Sequence, residues 1–218
     1  IGRSRTLGDD FIPLLWANYA GGSGLYFADA QSLSFLVTST NEEAPGTANG
    51  TLFDSLRPSG TINENGLIAF RAFLQDTTGD ALAGVNLQGI WAELPGGGGV
   101  PTLNLAARQG NMTPGGDVYG QMPLNPVFND NNQIAFSSPV QGGGNALFAG
   151  TLASLSEIAR SGDAVGAFAG LPTGLVYDLV RSPLAYNNGA RLLASCTFAL
   201  DEILGVTANN DSAILRHG

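Results

Sequence analysis

The residues able to do covalent chemistry are few. The 218-residue chain has one thiol, Cys196, and one imidazole, His217. Such a pair is the smallest nucleophile-and-base unit. Cys196, however, falls in the apolar run from Leu192 to Leu200, where a small thiol packs as a hydrophobe, and His217 is the penultimate residue. A lone Cys with a lone His forms neither an internal disulfide nor a thiolate or imidazole zinc cage. All nine cations are arginine and lysine is absent, which removes Schiff-base chemistry, a P-loop lysine and any side-chain amine nucleophile. Eighteen carboxylates leave a net charge of −9, the wrong sign for a general binder of phosphate backbones.

Oxygen chemistry is the richer prospect. Asn63-Glu64-Asn65, Asn129-Asp130-Asn131 and Asn209-Asn210-Asp211 cluster amides and carboxylates in turns, the ligand type a hard cation takes. Ca²⁺ is therefore the one cofactor candidate, although the Asp-x-Asp-x-Asp-Gly spacing is missing and the same residues are ordinary turn formers. Glycoside hydrolysis needs two carboxylates about 5–9 Å apart. The adjacent pairs Asp9-Asp10 and Glu42-Glu43 diverge on an extended chain, so no enzyme is expected. Of the two tryptophans, Trp91 shares a repeated apolar position, which leaves Trp16 as the candidate platform for a sugar ring. Arg3, Arg108 and Arg160 share another repeated position; a structural pair explains them better than a ring of anion-holding guanidinium groups. Gly96–Gly99 and Gly142–Gly144 precede neither a helix pattern nor a lysine and read as loops.

These residues belong to a repeat. Ile62-Asn63-Glu64-Asn65-Gly66-Leu67-Ile68-Ala69-Phe70 matches Phe128-Asn129-Asp130-Asn131-Asn132-Gln133-Ile134-Ala135-Phe136, and more loosely Tyr186 to Ala194. A second element places Tyr26, Trp91, Phe148 and Leu215 in one slot, at steps of 65, 57 and 67 residues. A third reads Leu105-Ala106-Ala107-Arg108-Gln109-Gly110, Glu157-Ile158-Ala159-Arg160-Ser161-Gly162 and, loosely, Leu36 to Asn41. The units run approximately over 1–40, 41–106, 107–158 and 159–218, within a single repeat domain of 1–218.

Thirty-one glycines and eleven prolines argue for short strands and tight turns. Leu67 to Leu74 carries one charge in eight residues, the pattern of a strand buried on both faces. Asn65-Gly66 and Asn188-Gly189 tolerate positive φ and predict hairpins. The fold class expected is all-β: repeated four-stranded antiparallel sheets of roughly 60 residues, stacked as in a β-propeller, with a β-sandwich or β-solenoid as the alternative. No apolar run approaches the roughly 20 residues of a membrane-spanning helix, and no signal peptide is visible at Ile1.

The order Ala-Arg-x-Gly, Pro-Gly step, Asn-rich turn, Ile-Ala-Phe and Gly-Ile-Trp resembles a family of exported bacterial tandem-repeat proteins. Their repeats read V-A-R-x-G-D-P-A-P-G, L-N-D-x-G-Q-V-A-F and G-I-F or G-I-W. Many carry a PEP-CTERM-type sorting tail, and they are regarded as propeller-like. The resemblance implies export and a role at the cell surface or in its matrix; it brings no catalytic residues. The function expected is a non-catalytic secreted or cell-surface repeat protein with a structural, adhesive or assembly role, partnered by itself or by other surface components. A carbohydrate-binding propeller lectin is the alternative, and a glycoside hydrolase a more distant one.

Overall fold

Alternation of short apolar strands with Gly- and Asn-rich turns leaves the backbone one economical solution, the antiparallel hairpin. The computed structural model describes residues 4–7, 10–28, 34–56, 60–97, 100–122, 124–165, 173–201, 203–208 and 211–217, with backbone alone at 4–7, 10–15, 27–28 and 34–36. It is all-β. The first sheet is β1 (Ser4–Leu7), β2 (Asp10–Tyr19), β3 (Gly22–Ala28) and β4 (Ser34–Ser39), in that order. The second comprises β5 (Phe53–Leu56), β6 (Thr61–Ile62), β7 (Ile68–Leu74), β8 (Gln88–Leu94) and β9 (Thr102–Arg108). β10 (Val127–Phe128), β11 (Gln133–Pro139), β12 (Asn145–Thr151) and β13 (Ser154–Arg160) form the third. The fourth holds β14 (Tyr177–Tyr186), β15 (Leu192–Phe198) and β16 (Ser212–His217). Sheets two and three end at Arg108 and Arg160, so the unit boundaries expected after 106 and 158 fall inside β9 and β13. No helix among the described residues is long and apolar enough to cross a membrane.

The sheets are copies of one unit. In the second, β5 and β6 are two halves of one strand: Phe53 pairs with Leu74 and Ile62 with Ile68 along β7. In the fourth, β14 runs unbroken along the same path, accommodated by bulges. Ile68, Ile134 and Leu192 sit at equivalent places, opposite Ile62, Phe128 and Tyr186. A β-bulge recurs at Leu25/Tyr26, Ile90/Trp91 and Leu147/Phe148. A bulge adds twist and re-aims the side chain beside it. The position two residues after each of these last strands has positive φ, at Asn41 (69°), Gly110 (86°) and Gly162 (92°). There the chain doubles back, donating N–H bonds to the carbonyls of Phe53, Tyr119 and Tyr177 at 2.8, 2.9 and 2.7 Å and so opening the next unit.

Packing follows the same rule at each junction. One face of a sheet, here the front, carries large side chains; the other, the back, carries small or aliphatic ones. Phe53, Phe70 and Trp91 on the front of the second sheet meet Leu25 of the first. Tyr119, Phe136 and Phe148 of the third meet Ala69, Ile90, Ala92 and Ala107 of the second. Leu192, Ala194 and Leu215 of the fourth meet Ala135, Leu147 and Ala149 of the third. The aromatic trios repeat in geometry as well. Phe53 stands edge-on to Trp91 with centroids 4.9 Å apart, and Tyr119 edge-on to Phe148 at 5.0 Å, the arrangement ring quadrupoles favour. The wedge is matched two residues earlier: glycine under Tyr26 and Trp91 (Gly24, Gly89), alanine under Phe148 and Leu215 (Ala146, Ala213).

A Cβ on Gly89 would lie 2.5 Å from the Trp91 ring and 3.2 Å from the Ala107 carbonyl oxygen. Trp91 is fully buried and its Nε1 donates to the Pro45 carbonyl at 3.0 Å, so the ring cannot step aside. Gly89→Ala is expected to cost about 1–3 kcal/mol, measured as a lowered urea midpoint at unchanged slope.

Candidate functional site

The three Asn-rich turns, which carry most of the oxygen ligands, are built alike. Asn63, Asn129 and Asn187 each donate a backbone N–H to the residue four positions on, at 2.9, 3.0 and 3.0 Å. Each side-chain Oδ1 accepts two further backbone N–H groups: from Asn65 and Leu67, from Asn131 and Gln133, and from Gly189 and Arg191. The positive φ falls on the fourth turn residue, Gly66 (77°), Asn132 (59°) and Ala190 (57°). Both expected hairpins are present, but at the third turn the positive φ falls on Ala190 rather than on Asn188 or Gly189. The loop is a three-residue turn closed by a left-handed residue, and the locking Asn side chain lets even alanine take that place.

Fixing Oδ1 inward aims Nδ2 outward, at the neighbouring sheet. Asn63 Nδ2 donates to the Asn129 carbonyl at 2.9 Å, and Asn129 Nδ2 to the Asn187 carbonyl at 2.8 Å. A second rail runs beside it: the Glu64 N–H donates to Asp130 Oδ1 at 2.6 Å and the Asp130 N–H to Asn188 Oδ1 at 2.9 Å. A third joins Asn65 Nδ2 to the Asp130 carbonyl and Asn131 Nδ2 to the Asn188 carbonyl, at 2.7 and 2.5 Å. Asn188 Nδ2 closes back on Asp130 Oδ2 at 2.6 Å. The turns thus form a ladder across three sheets, with Asn63 and Asn129 0% and 2% exposed. Asp could not replace them at this position, since it accepts but does not donate when ionised.

The structure therefore brings together all six residues considered for Ca²⁺, namely Asn63, Glu64, Asn65, Asn129, Asp130 and Asn131. The Asn63, Asn129 and Asp130 side-chain oxygens are aimed at N–H donors rather than at a common centre. Asn209 and Asn210 lie outside the described residues. Among those described, no group of three or more His, Cys, Asp or Glu is arranged to hold a metal. The handover from turn to turn was not foreseen from sequence. Its signal was there in the invariance of the first Asn across three copies.

Trp16 sits on β2 opposite Leu25, partly buried against the cluster between the first and second sheets. Its Nε1 is buried with no hydrogen-bond partner. Arg108, 3% exposed, places Nη1 at 2.9 and 2.8 Å from the two Asp80 oxygens and Nε on the Asn86 carbonyl. The Arg108 hydrogen bond holds Asp80 below the usual carboxylate range. Arg160 instead pairs with Glu157 and Asp117 at 2.7 and 2.5 Å, and those two carboxylates raise its pKa. Arg3 lies outside the described residues. Burial pushes the Cys196 thiol up. Cys196 pairs with Ala213 and His217 with Leu192, four positions along the strands, about 13 Å at the rise of a strand. That is too far for a dyad.

One carboxylate is buried away from any cation's pull. Glu93 on β8 is 7% exposed, and burial raises its pKa to about 7, with the Ile68 N–H, donating to Oε2 at 3.1 Å, drawing it partly back. The larger surface clefts lie elsewhere. One of about 380 Å³ lies between the second and third sheets beside Leu105, Met112 and Leu155. Another, of about 450 Å³, lies on the outer face of the fourth sheet beside Arg181, Ser195 and Ile214.

Residues 16–213 match the family of unknown function DUF7453. No curated protein and no solved structure matches the chain.

The ladder and Glu93 each set an expectation. Asn129→Asp keeps the acceptor that shapes its own turn but loses the donor to Asn187, and should cost about 1–3 kcal/mol. Asn187→Asp, at the exposed end with no described acceptor for Nδ2, should cost less; chemical denaturation of the two variants compares them. Glu93 binds a proton more tightly folded than unfolded. Its stability contribution is therefore fullest below pH 4.5, falls as pH rises toward 7, and is lowered by about 3 kcal/mol above that. Glu93→Gln should flatten this decline, raising the melting temperature at pH 8 and leaving it little changed at pH 4.5.

Proposed function

The chain belongs to the DUF7453 family, and we propose that it is a non-catalytic, cell-surface β-repeat module with propeller-like stacking of its sheets and a structural or assembly role. The single observation that carries this reading is the asparagine ladder. The most polar residues of the repeat, where a ligand site would be sought, bond one sheet to the next. Tyr26, Trp91, Phe148 and Leu215 form a repeated packing slot, the shared arginines make structural pairs, and Cys196 and His217 stand far apart along their strands. The residues that recur are thus accounted for by turns and packing. Export is supported by the resemblance of the Ala-Arg-x-Gly, Asn-turn and Gly-Ile-Trp pattern to exported bacterial tandem-repeat proteins. A chain without lysine and with net charge −9 also suits a soluble surface coat, since net charge opposes non-specific association.

The experiment is antibody labelling of intact, unpermeabilised source cells, followed by brief protease treatment. Label on the intact cells that is lost on proteolysis is the expected outcome. Label seen only after permeabilisation would overturn the surface role.

A further inference from the structure

One corner of the third unit departs from its copies. After the last strand of a unit the chain turns back through a short bridge, Glu43 with Leu52, Met112 with Val118 and Ala164 with Val176. The next residue is Ala44, Thr113 or Val165, and its N–H donates to the carbonyl of Thr51, Asp117 or Leu175 at 2.9, 2.7 and 2.8 Å. Ala44 and Val165 pack into apolar clusters. Thr113 holds the same slot, 5% exposed, and its Oγ1 is buried with no hydrogen-bond partner. A hydroxyl left unpaired there costs stability that alanine or valine would not.

A Pro-Gly step follows in two of the copies, Pro45-Gly46 and Pro114-Gly115. The Pro45 carbonyl accepts from Trp91 Nε1, and a Cβ on Gly46 would lie 2.7 Å from Leu105 Cβ. The residues matching Trp91 and Leu105 in the third sheet are Phe148, which has no N–H to give, and Glu157. A Cβ on Gly115 would lie 3.3 Å from Glu157 Oε2 and 3.7 Å from Thr113 Oγ1. Thr113, Phe148 and Glu157 thus make polar a corner that is apolar in the second unit.

The cleft of about 380 Å³ opens beside this corner, between β9 and the β12–β13 turn, within the size range of small-molecule sites. Leu105, Met112 and Leu155 give it an aliphatic lining, while Asn111, Thr113 and Tyr119 carry an amide and two hydroxyl groups. Burial, with the Glu157 carboxylate nearby, raises the Tyr119 pKa, so the phenol keeps its proton. No charged side chain lines the cleft among the described residues. Arg160, behind it, already serves two carboxylates, Glu157 and Asp117, so an anionic guest would lose water without gaining a counter-charge. A neutral guest whose hydroxyls both donate and accept and whose C–H faces pack on leucine suits this lining. We propose that the cleft binds a neutral hexose unit, free or within a glycan. The inference goes beyond the structural role proposed above and does not depend on it.

The test is an amide-resolved NMR titration of the full chain with glucose, mannose and galactose, with their neutral tetrasaccharides, and with tetragalacturonate as the charged comparison. At least one neutral saccharide should give saturable shifts centred on the cleft segments 111–114 and 152–155, and tetragalacturonate none. Thr113→Val keeps the shape and removes the hydroxyl. It should weaken binding about threefold to tenfold, the loss of one hydrogen bond, with the melting temperature unchanged or raised. Ala153→Trp, at an exposed position on the cleft wall, should abolish binding at unchanged circular dichroism. Tighter binding of a tetrasaccharide than of its monosaccharide marks a glycan as the source, and equal binding marks the free sugar. No saturable binding of any neutral saccharide, shifts centred elsewhere, or affinity undiminished in either variant overturns the site. Tetragalacturonate or a decaproline peptide binding there in place of the sugars overturns the ligand class.

Discussion

A buried primary amide has to satisfy two ends at once, and in Asn63 and Asn129 that requirement ties the sheets together. The oxygen end is consumed by the turn, the nitrogen end by the neighbouring carbonyl. A buried amide left half satisfied costs about 1–3 kcal/mol, so turn shape and sheet spacing cannot vary independently. Position and orientation are set together, which a purely apolar contact would not do.

The apolar contacts supply bulk to this polar frame. Large wedges on the front of one sheet meet smaller residues on the back of the one before it, as Phe136 and Phe148 meet Ala69 and Ala92, and Gly89, two residues before Trp91 on the same strand, shows how close the packing is within a sheet. The fourth sheet relaxes it: Ala194 and Leu215 stand where the second and third sheets have aromatic pairs, and bulges break the register of β14. The structure therefore has a direction, with a heavily packed middle and a lighter last sheet whose back face is charged and partly greasy.

Much of this was legible in the chain. The repeat aligned Ile68 with Ile134 and Leu192, Trp91 with Phe148, and Arg108 with Arg160, and each pair or trio lies at equivalent strand positions. Alignment works because pairing, bulge and turn are local devices with local residue requirements. The sites were less legible. Asn63, Asn129 and Asp130 offer oxygens, and nothing in one-dimensional spacing tells whether such an oxygen meets a cation, an N–H group of its own turn or, as for Asp130, one 66 residues away. Trp16 lacks a repeated slot, and only the cluster it packs against, which holds Leu25 and Phe53, places it between two sheets. Glu93 went unremarked as a titrating group, because the desolvation that raises its pKa comes from residues distant in sequence.

The sequence by itself determined the all-β class, the repeat, the turns and the absence of lysine chemistry, since these depend on residue type and on spacing of a few positions. The tertiary structure decided which asparagines face one another and which arginine meets which carboxylate. Those depend on the distance between units some sixty residues apart, a quantity set only when twisted sheets stack.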